Sequence, residues 1–219
     1  MTDGPGTPGP AAPLLIACAL GIEQFALRSG RGRAGTASGP VTVLRTGMGP
    51  RAAETAVARA LGQHRVPGTA VLASGFCAGL VPGMHPGDLV VADETRDSAD
   101  PTVCTGPGLL AEALARAVPG RTVHTGPLTG SDHVVRGHER AGLRATGAIA
   151  VDMESAATLR TALRSGPRPV AAVRVVVDAP EHELVRIGTI RGGISAFRVL
   201  RAVLPAFYEW HRSLLLPRR

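Results

Sequence analysis

The segment VAAVRVVV at residues 170–177 constrains the fold more than any other part of the chain. A short apolar run rich in valine is typical of a strand that is buried on both faces of a mostly parallel sheet. Asp178 follows it directly, and ligands of such sheets bind at the carboxyl ends of the strands. The run therefore predicts an α/β fold with an acidic residue at the ligand-binding edge.

Other apolar runs alternate with helical stretches along the chain. Further strands are predicted at Pro13–Leu20, Val41–Arg45, Thr69–Ser74, Asp88–Asp93, Thr122–Leu128 and Ala148–Val151. Helices are predicted at Glu23–Arg28, Arg51–Leu61, Gly108–Val118, Asp152–Arg164 and Ser195–Leu216. This alternation predicts a single α/β domain with a central mixed, mostly parallel twisted sheet that is flanked by helices.

Length and composition agree with one domain. A chain of 219 residues is long enough to bury a core of its own. Hydrophobic residues make up 44% of the chain but aromatic residues only 3%, so the core is expected to consist of Ala, Val and Leu. Residues 1–12 are rich in Gly and Pro and are predicted to form a disordered leader, which leaves residues 13–219, including the C-terminal helix, as the domain.

The charge balance is basic without pointing to nucleic acid. All 24 residues of the Lys plus Arg count are arginines, and the formal net charge is +7. A genome rich in G and C produces such a bias, the arginines are scattered, and few aromatic residues are present to stack on bases. We therefore expect no nucleic-acid partner.

The cysteine pattern and the hydropathy indicate a cytoplasmic protein. Cys18, Cys77 and Cys104 have no metal-ligand spacing, and no secretory signal precedes them, so no metal and only reduced thiols are expected. No run of about 18 apolar residues is present that would cross a bilayer.

The C-terminal helix carries one apolar stripe with arginines near it. The stripe comprises Phe197, Leu200, Leu204, Phe207 and Trp210, and the arginines are Arg198, Arg201, Arg212, Arg218 and Arg219. Helices that lie in a membrane interface have this composition, which makes peripheral membrane contact one interpretation. A helix that packs on its own core shows the same stripe, and the pattern favours that alternative.

Two carboxylates are candidates for acid–base chemistry. Burial of Asp178 at the end of its apolar strand would raise its pKa toward that of a proton donor, although a residue that only caps the following turn fits the pattern equally. Glu154 stands at the start of a helix, where its charge is favoured and its oxygens can accept hydrogen bonds from two vicinal hydroxyls. A first-turn acid beside a core methionine, Met153, is the structural alternative.

A glycine turn offers a candidate anion site. Arg45 ends a predicted strand, and Gly47 and Gly49 lead directly into a predicted helix. That arrangement directs backbone N–H groups at an anion, which makes Arg45 and Gly47 candidate phosphate ligands. A tight turn after an exposed arginine is the alternative.

Three segments carry a resemblance to a known family. They are GFCAGLVPGMHPGDLVVADE at 75–94, AIAVDMESAA at 148–157 and VRVVVDAPE at 173–181. In composition, order and spacing they resemble the signature blocks of the purine nucleoside phosphorylase and methylthioadenosine/S-adenosylhomocysteine nucleosidase superfamily. The resemblance extends over roughly residues 13–178 and implies an enzyme that breaks the N-glycosidic bond of a purine nucleoside.

The resemblance implies roles for individual residues. Asp178 would protonate the purine, Glu154 would hold the ribose hydroxyls, and Met153 would pack on the sugar. Glu23 would orient an attacking water, and the backbone of Val135 would contact the adenine edge.

The glycine-rich block at residues 75–79 would also contact the substrate, through Phe76 and Gly79. The family usually has Gly-Ser-Ala-Gly-Gly where this chain has Gly-Phe-Cys-Ala-Gly. Phe76 therefore replaces a small polar residue near the nucleophile.

Within the superfamily, the chain is most similar to the phosphorylases associated with hopanoid biosynthesis. Their reaction would be phosphorolysis of adenosylhopane with release of adenine, with inorganic phosphate as co-substrate and no other cofactor. The alternatives are a hydrolytic nucleosidase and an inactive purine-binding module. Futalosine hydrolases have Gly-Phe after the Met-Glu pair, whereas Ser155 and Ala156 follow it here. The family also implies a homo-oligomer.

Overall fold

The computed structural model describes residues 12–31, 37–63, 68–179 and 189–214. The predicted leader, apart from residue 12, lies outside these residues, as do Arg218 and Arg219.

Eight strands and seven helices occur in the described residues. The strands are β1 (Leu14–Cys18), β2 (Val41–Arg45), β3 (Ala70–Gly79), β4 (Leu89–Arg96), β5 (Thr102–Val103), β6 (Val123–Gly130), β7 (Ala150–Asp152) and β8 (Val170–Asp178). The helices are α1 (Gly21–Gly30), α2 (Pro50–Gln63), α3 (Pro107–Ala117), α4 (His138–Ala145), α5 (Ser155–Arg164), α6 (Thr189–Ala202) and α7 (Leu204–Ser213).

The strands form one mixed sheet, which confirms the predicted fold class. Its order is β2-β1-β3-β7-β6-β4-β5, and β8 pairs with both β3 and β4. Among the described strands, five pairings are parallel and three are antiparallel. Because β8 joins β3 to β4, the strands β3, β8, β4, β6 and β7 close into a ring, and the candidate site lies at one end of it.

Both faces of the sheet are buried, which explains why the sequences of its strands are continuous apolar runs. Leu14 and Ile16 of β1 belong to one hydrophobic cluster, which also contains residues of α1, α3, α6 and α7. Leu15 and Ala17 belong to a second cluster on the opposite face, with residues of α2 and α5. The sheet is therefore the middle layer between two sets of helices.

The C-terminal region differs from the prediction in one respect. The predicted single helix is broken at Val203 into α6 and α7, because Pro205 in the first turn of α7 cannot donate the hydrogen bond that would continue α6. Leu200, Leu204, Phe207 and Trp210 of the apolar stripe are fully buried in the core. The core-packing alternative is thus confirmed, and these side chains are not available to a membrane. None of the described helices is both long and apolar enough to cross a bilayer.

The three cysteines are free and buried. Burial is the main cause that raises the pKa of the Cys18 and Cys104 thiols to about 12. They therefore behave as small core residues and not as nucleophiles.

His211 of α7 makes stability sensitive to acid. Its ring is buried, and neither ring nitrogen has a hydrogen-bond partner among the described residues; burial lowers its pKa. In acid, His211 therefore binds a proton in the unfolded chain before it does so in the folded chain. The free energy of unfolding consequently falls as pH drops from about 6.5, the ordinary pKa of histidine, toward the lowered pKa of the folded state.

We predict that His211→Leu reduces this loss by on the order of 1 kcal/mol. Urea unfolding of the wild type and the variant at pH 7.5 and pH 5 measures the difference. Equal losses for both proteins would contradict the assignment of acid sensitivity to His211.

Candidate active site

Four carboxylates line one cavity of about 190 Å³, and three of them are residues that the sequence analysis singled out. Glu23 comes from α1, Glu154 from the end of the β7–α5 connection, and Asp178 from the end of β8. All three are buried. The other lining residues are Ala19, Leu20, Met48, Phe76, Cys77, Ala78, His133, Val134, Val135, Val151, Asp152, Met153 and Val177.

Glu23 is fixed by backbone N–H groups. Its Oε2 accepts hydrogen bonds from the N–H groups of Ala19 at 2.9 Å and Leu20 at 2.8 Å, and its Oε1 accepts one from Phe76 at 2.8 Å. The first two bonds cap the start of α1, and the third ties the helix to β3. Since a carboxylate has about four acceptor positions, one remains for another donor.

Glu154 is held by the glycine turn before α2. Its Oε1 accepts a hydrogen bond from the N–H of Gly49 at 2.8 Å. Gly49 has a φ of +89°, a backbone conformation that favours glycine. The anion bound by this turn is therefore the protein's own carboxylate, and burial raises the pKa of Glu154 above its ordinary value.

Asp178 is paired with Arg140, a residue that no sequence pattern singled out. Nη2 of Arg140 contacts Oδ2 of Asp178 in a short ion pair, and Nη1 lies 3.3 Å from Oδ1. Both side chains are buried. The environment of Asp178 therefore combines burial at the end of β8 with a guanidinium that contacts both carboxylate oxygens.

Arg174 of β8 lies beside two acidic residues that line the cavity, Asp152 and Glu154, and was also missed. It is 1% exposed; its Nη2 lies 2.5 Å from Asp152 and 4.0 Å from Glu154, and its Nε donates to Ser155 Oγ at 2.9 Å. Its Nη1 has no hydrogen-bond partner among the described residues. One signal was present in the sequence, because an arginine in the middle of an apolar buried strand must have a partner.

Gly75 leaves space for the charged groups of Glu23 and Arg174. It pairs with Arg174 in the ladder between β3 and β8 and has a φ of +147°. A Cβ atom at this position would lie 2.5 Å from Glu23 Oε1 and 2.6 Å from Arg174 Nη1. The glycine therefore allows the carboxylate and the guanidinium to approach the same point of the backbone.

We expect Gly75→Ala to displace both charged groups. Backbone strain alone should lower the free energy of unfolding by about 1–3 kcal/mol. Catalytic activity should fall as well, because Glu23 and Arg174 are displaced. The control is Gly62→Ala in α2, where the added methyl group meets nothing within 4 Å. Thermal melts and activity assays of the two variants test the prediction, and a Gly75→Ala protein with wild-type stability and rate would contradict it.

The predicted site residues separate into two groups. Met153, Val135 and Phe76 line the cavity with the three carboxylates, and the carbonyl of Val135 faces Arg140 at 3.4–3.5 Å.

Gly79, Arg45 and Gly47 do not line it. Gly79 packs against Met84, and Arg45 is exposed. The N–H of Gly47 donates to the carbonyl of Ala19 at 3.2 Å, whereas the N–H of Gly49 donates to the carboxylate of Glu154.

A second cavity of about 390 Å³ adjoins the first at Met153. Asp97, Asp132, Glu139 and Arg160 line it, but none of the three site carboxylates does. No group of three or more His, Cys, Asp or Glu side chains in the described part of the chain is arranged to hold a metal ion. Glu23, Glu154 and Asp178 therefore belong to the first cavity and not to the second.

A sheet with buried carboxylates gathered in one cavity at its end has the groups that an acid–base active site needs. A sequence profile described as the phosphorylase superfamily matches residues 5–205. The chain belongs to this superfamily, and it is an enzyme of N-glycosidic bond cleavage. No curated protein matches the chain significantly.

Solved structures share the fold. A 5′-methylthioadenosine/S-adenosylhomocysteine nucleosidase from Neisseria meningitidis in complex with methylthio-immucillin-A has a TM-score of 0.71 and 21% identity, over 88% of this chain and 98% of that chain. The futalosine hydrolase of Helicobacter pylori has a TM-score of 0.72 and 17% identity, over 90% and 97%. A nucleosidase of the first kind, described as putative, from Borrelia burgdorferi bound to adenine has a TM-score of 0.71 and 17% identity, over 92% and 99%.

Proposed function

We propose that the protein cleaves the N-glycosidic bond of an adenosine derivative and releases adenine. The observation that carries the proposal is the meeting of Glu23, Glu154 and Asp178 in one cavity, each in a different environment. Asp178 is paired with a guanidinium, Glu154 accepts one backbone N–H, and Glu23 accepts three. Glycoside cleavage needs carboxylates in different roles.

Each carboxylate has one part in the reaction. Asp178 donates a proton to a ring nitrogen of the purine as the bond to C1′ breaks, so the base leaves neutral. Glu154 accepts hydrogen bonds from the ribose hydroxyls, and Met153 packs on the sugar. Positive charge develops on the sugar in the transition state, and the negative charge of Glu154 stabilises it.

The charges around the cavity distinguish between water and phosphate as the nucleophile, which the family resemblance leaves open. Asp152, Glu154 and Glu23 place three negative charges around the single positive charge of Arg174, which disfavours a phosphate dianion. The free acceptor position of Glu23 suits a water instead. Glu23 takes a proton from this water as the oxygen of the water bonds to C1′. After the products leave, Glu23 releases that proton to solvent and Asp178 regains one from solvent. We therefore propose hydrolysis as the reaction.

Phosphorolysis is the second candidate. The resemblance to the hopanoid-associated phosphorylases implies it, and the Arg45 guanidinium lies beside Gly21, at the start of the helix that carries Glu23. A cation at this place would attract phosphate if the side chain turned toward the cavity.

The proposed substrate has an apolar 5′ substituent. Met48 and Val134 line the cavity and are 65% and 62% exposed, so two apolar side chains stand between the cavity and solvent. Adenosylhopane, which the resemblance implies, has such a substituent, as do short 5′-alkylthioadenosines.

The products distinguish these proposals. Purified protein is incubated with adenosine and 5′-alkylthioadenosines, with and without phosphate, in water enriched in ¹⁸O. We expect free adenine and a sugar with ¹⁸O at C1, independent of phosphate. A sugar 1-phosphate that forms only with phosphate would replace hydrolysis by phosphorolysis, and the absence of adenine in both arms would contradict the proposed function.

A further inference from the structure

Arg140 is the only buried residue of α4. All eight residues of this helix are described, and the other seven are at least partly exposed. A surface helix normally buries apolar side chains, whereas this one buries a guanidinium. Burial of an unpaired charge is costly, so the position demands a partner, and that partner is Asp178.

Arg140 joins two parts of the site that otherwise belong to different elements. Nη1 and Nη2 contact the two carboxylate oxygens of Asp178 at the end of β8, and Nε and Nη2 lie 3.4 and 3.5 Å from the carbonyl of Val135. Both partners line the cavity, and Arg140 itself does not. The guanidinium therefore acts from behind the cavity wall, through Asp178 and Val135.

The two carboxylate oxygens are not held equally. Oδ2 makes the short contact with Nη2, whereas Oδ1 lies 3.3 Å from Nη1. A planar guanidinium that binds both oxygens also fixes the plane of the carboxylate. Both oxygens thus accept a hydrogen bond from Arg140, Oδ1 at the longer distance.

We infer that Arg140 is a positioning residue of the proposed reaction: it holds Oδ2 of Asp178 and leaves Oδ1 to deliver the proton to the leaving base. The inference rests on the proposed function. Before cleavage the proton is bonded to Oδ1; as the bond between C1′ and the base nitrogen breaks, this proton bonds to the base and Asp178 becomes a carboxylate. Arg140 then stabilises the negative charge that Asp178 has gained.

The test compares four proteins with the wild type: Arg140→Met, Arg140→Lys, Asp178→Asn and the double variant Arg140→Met/Asp178→Asn. Adenine release from a 5′-alkylthioadenosine is followed in single turnovers with labelled nucleoside, so that slow variants are measurable. We expect Arg140→Met to lower the rate by about 10- to 100-fold, the scale of a misplaced catalytic group. Arg140→Lys should lie between this variant and the wild type, because it keeps the charge and loses the planar fork.

The double variant separates positioning from a purely structural role. If Arg140 acts through Asp178, Arg140→Met lowers the rate of the Asp178→Asn protein by less than about threefold, since the effects of coupled residues do not add. If Arg140 only supports the fold, Arg140→Met lowers the rate by the same factor in the wild type and in Asp178→Asn. That result would overturn the inference. Arg144→Met is the control, because Arg144 is an exposed arginine on the same helix.

Two further outcomes are decisive. Should Arg140→Met fail to fold, the comparison of Arg140→Lys with the wild type remains, and a wild-type rate for Arg140→Lys would overturn the inference. If the wild type releases adenine and Arg140→Met is equally active, the inference about Arg140 is overturned but the proposed function is not. A wild type that releases no base overturns the proposed function as well.

Discussion

Asp178→Asn is expected to lower the rate of adenine release by at least about 100-fold, the lower end of what general acid catalysis contributes. Asparagine has the size of the aspartic acid but no carboxyl proton to give, so the purine would have to leave as an anion. The side chain stays beside Arg140, and the ribose contacts of Glu154 are not touched. The loss should therefore appear in kcat much more than in KM. Steady-state kinetics with a 5′-alkylthioadenosine measure both.

The control for this variant is Asp100→Asn, because Asp100 is an exposed aspartate before β5 and away from the carboxylate cavity. Asp178→Asn also leaves the buried Arg140 without its counter-charge, so thermal melts of both variants must accompany the kinetics. A folded Asp178→Asn protein that releases adenine at a nearly normal rate would remove Asp178 from the mechanism.

Glu154→Gln is expected to lower kcat/KM for ribonucleosides by about 100-fold. A hydrogen bond to a charged group contributes about 1.5–3 kcal/mol, and each 1.36 kcal/mol is a factor of ten in rate. The amide keeps one acceptor oxygen for the N–H of Gly49 but loses the negative charge that stabilises the sugar in the transition state. The loss should be smaller for a 2′-deoxynucleoside, which has only one hydroxyl to bind.

The pH dependence gives a second measure of Glu154. Burial raises its pKa above the ordinary value, and only the ionised form accepts both hydroxyl hydrogen bonds. The wild-type kcat/KM should therefore fall as pH drops through this raised pKa, and the part of the acidic decline that Glu154 causes should be absent in Glu154→Gln, because the amide does not titrate. The control is Glu112→Gln on the exposed face of α3. Equal losses for ribo- and deoxyribonucleosides would contradict a role in binding the hydroxyls.

Local patterns were enough for most strands, and they made Asp178 and Glu154 candidates, whereas Glu23 came from the family resemblance alone. The prediction for β2 agrees with the structure at both ends, because apolar runs bounded by glycine and polar residues are local signals. Asp178 and Glu154 stand at the ends of such elements, which placed them at one edge of the sheet. The predicted Thr69–Ser74 strand continues to Gly79, because pairing with β8 and β7 overrides the glycines that would otherwise end it.

Contacts between residues that are far apart in the chain could not be predicted from local sequence patterns. Arg140 meets Asp178 38 positions further along the chain, and α4 was not predicted at all, since its only buried residue is this arginine and it has no apolar stripe. β5, with two residues, is too short to leave a pattern. The anion partner of the glycine turn was also unpredictable, because Gly49 and Glu154 are 105 positions apart.

A single-turnover experiment with the wild-type enzyme in excess over labelled adenosine or a 5′-alkylthioadenosine tests the central claim most directly. The account predicts that the bound nucleoside is converted completely to adenine and a free sugar. Calorimetry under the same conditions measures binding independently of cleavage. Nucleoside that binds but stays intact over hours would contradict the enzyme assignment and identify a purine-binding module, in which Phe76 occupies the place of a small polar residue beside the nucleophile.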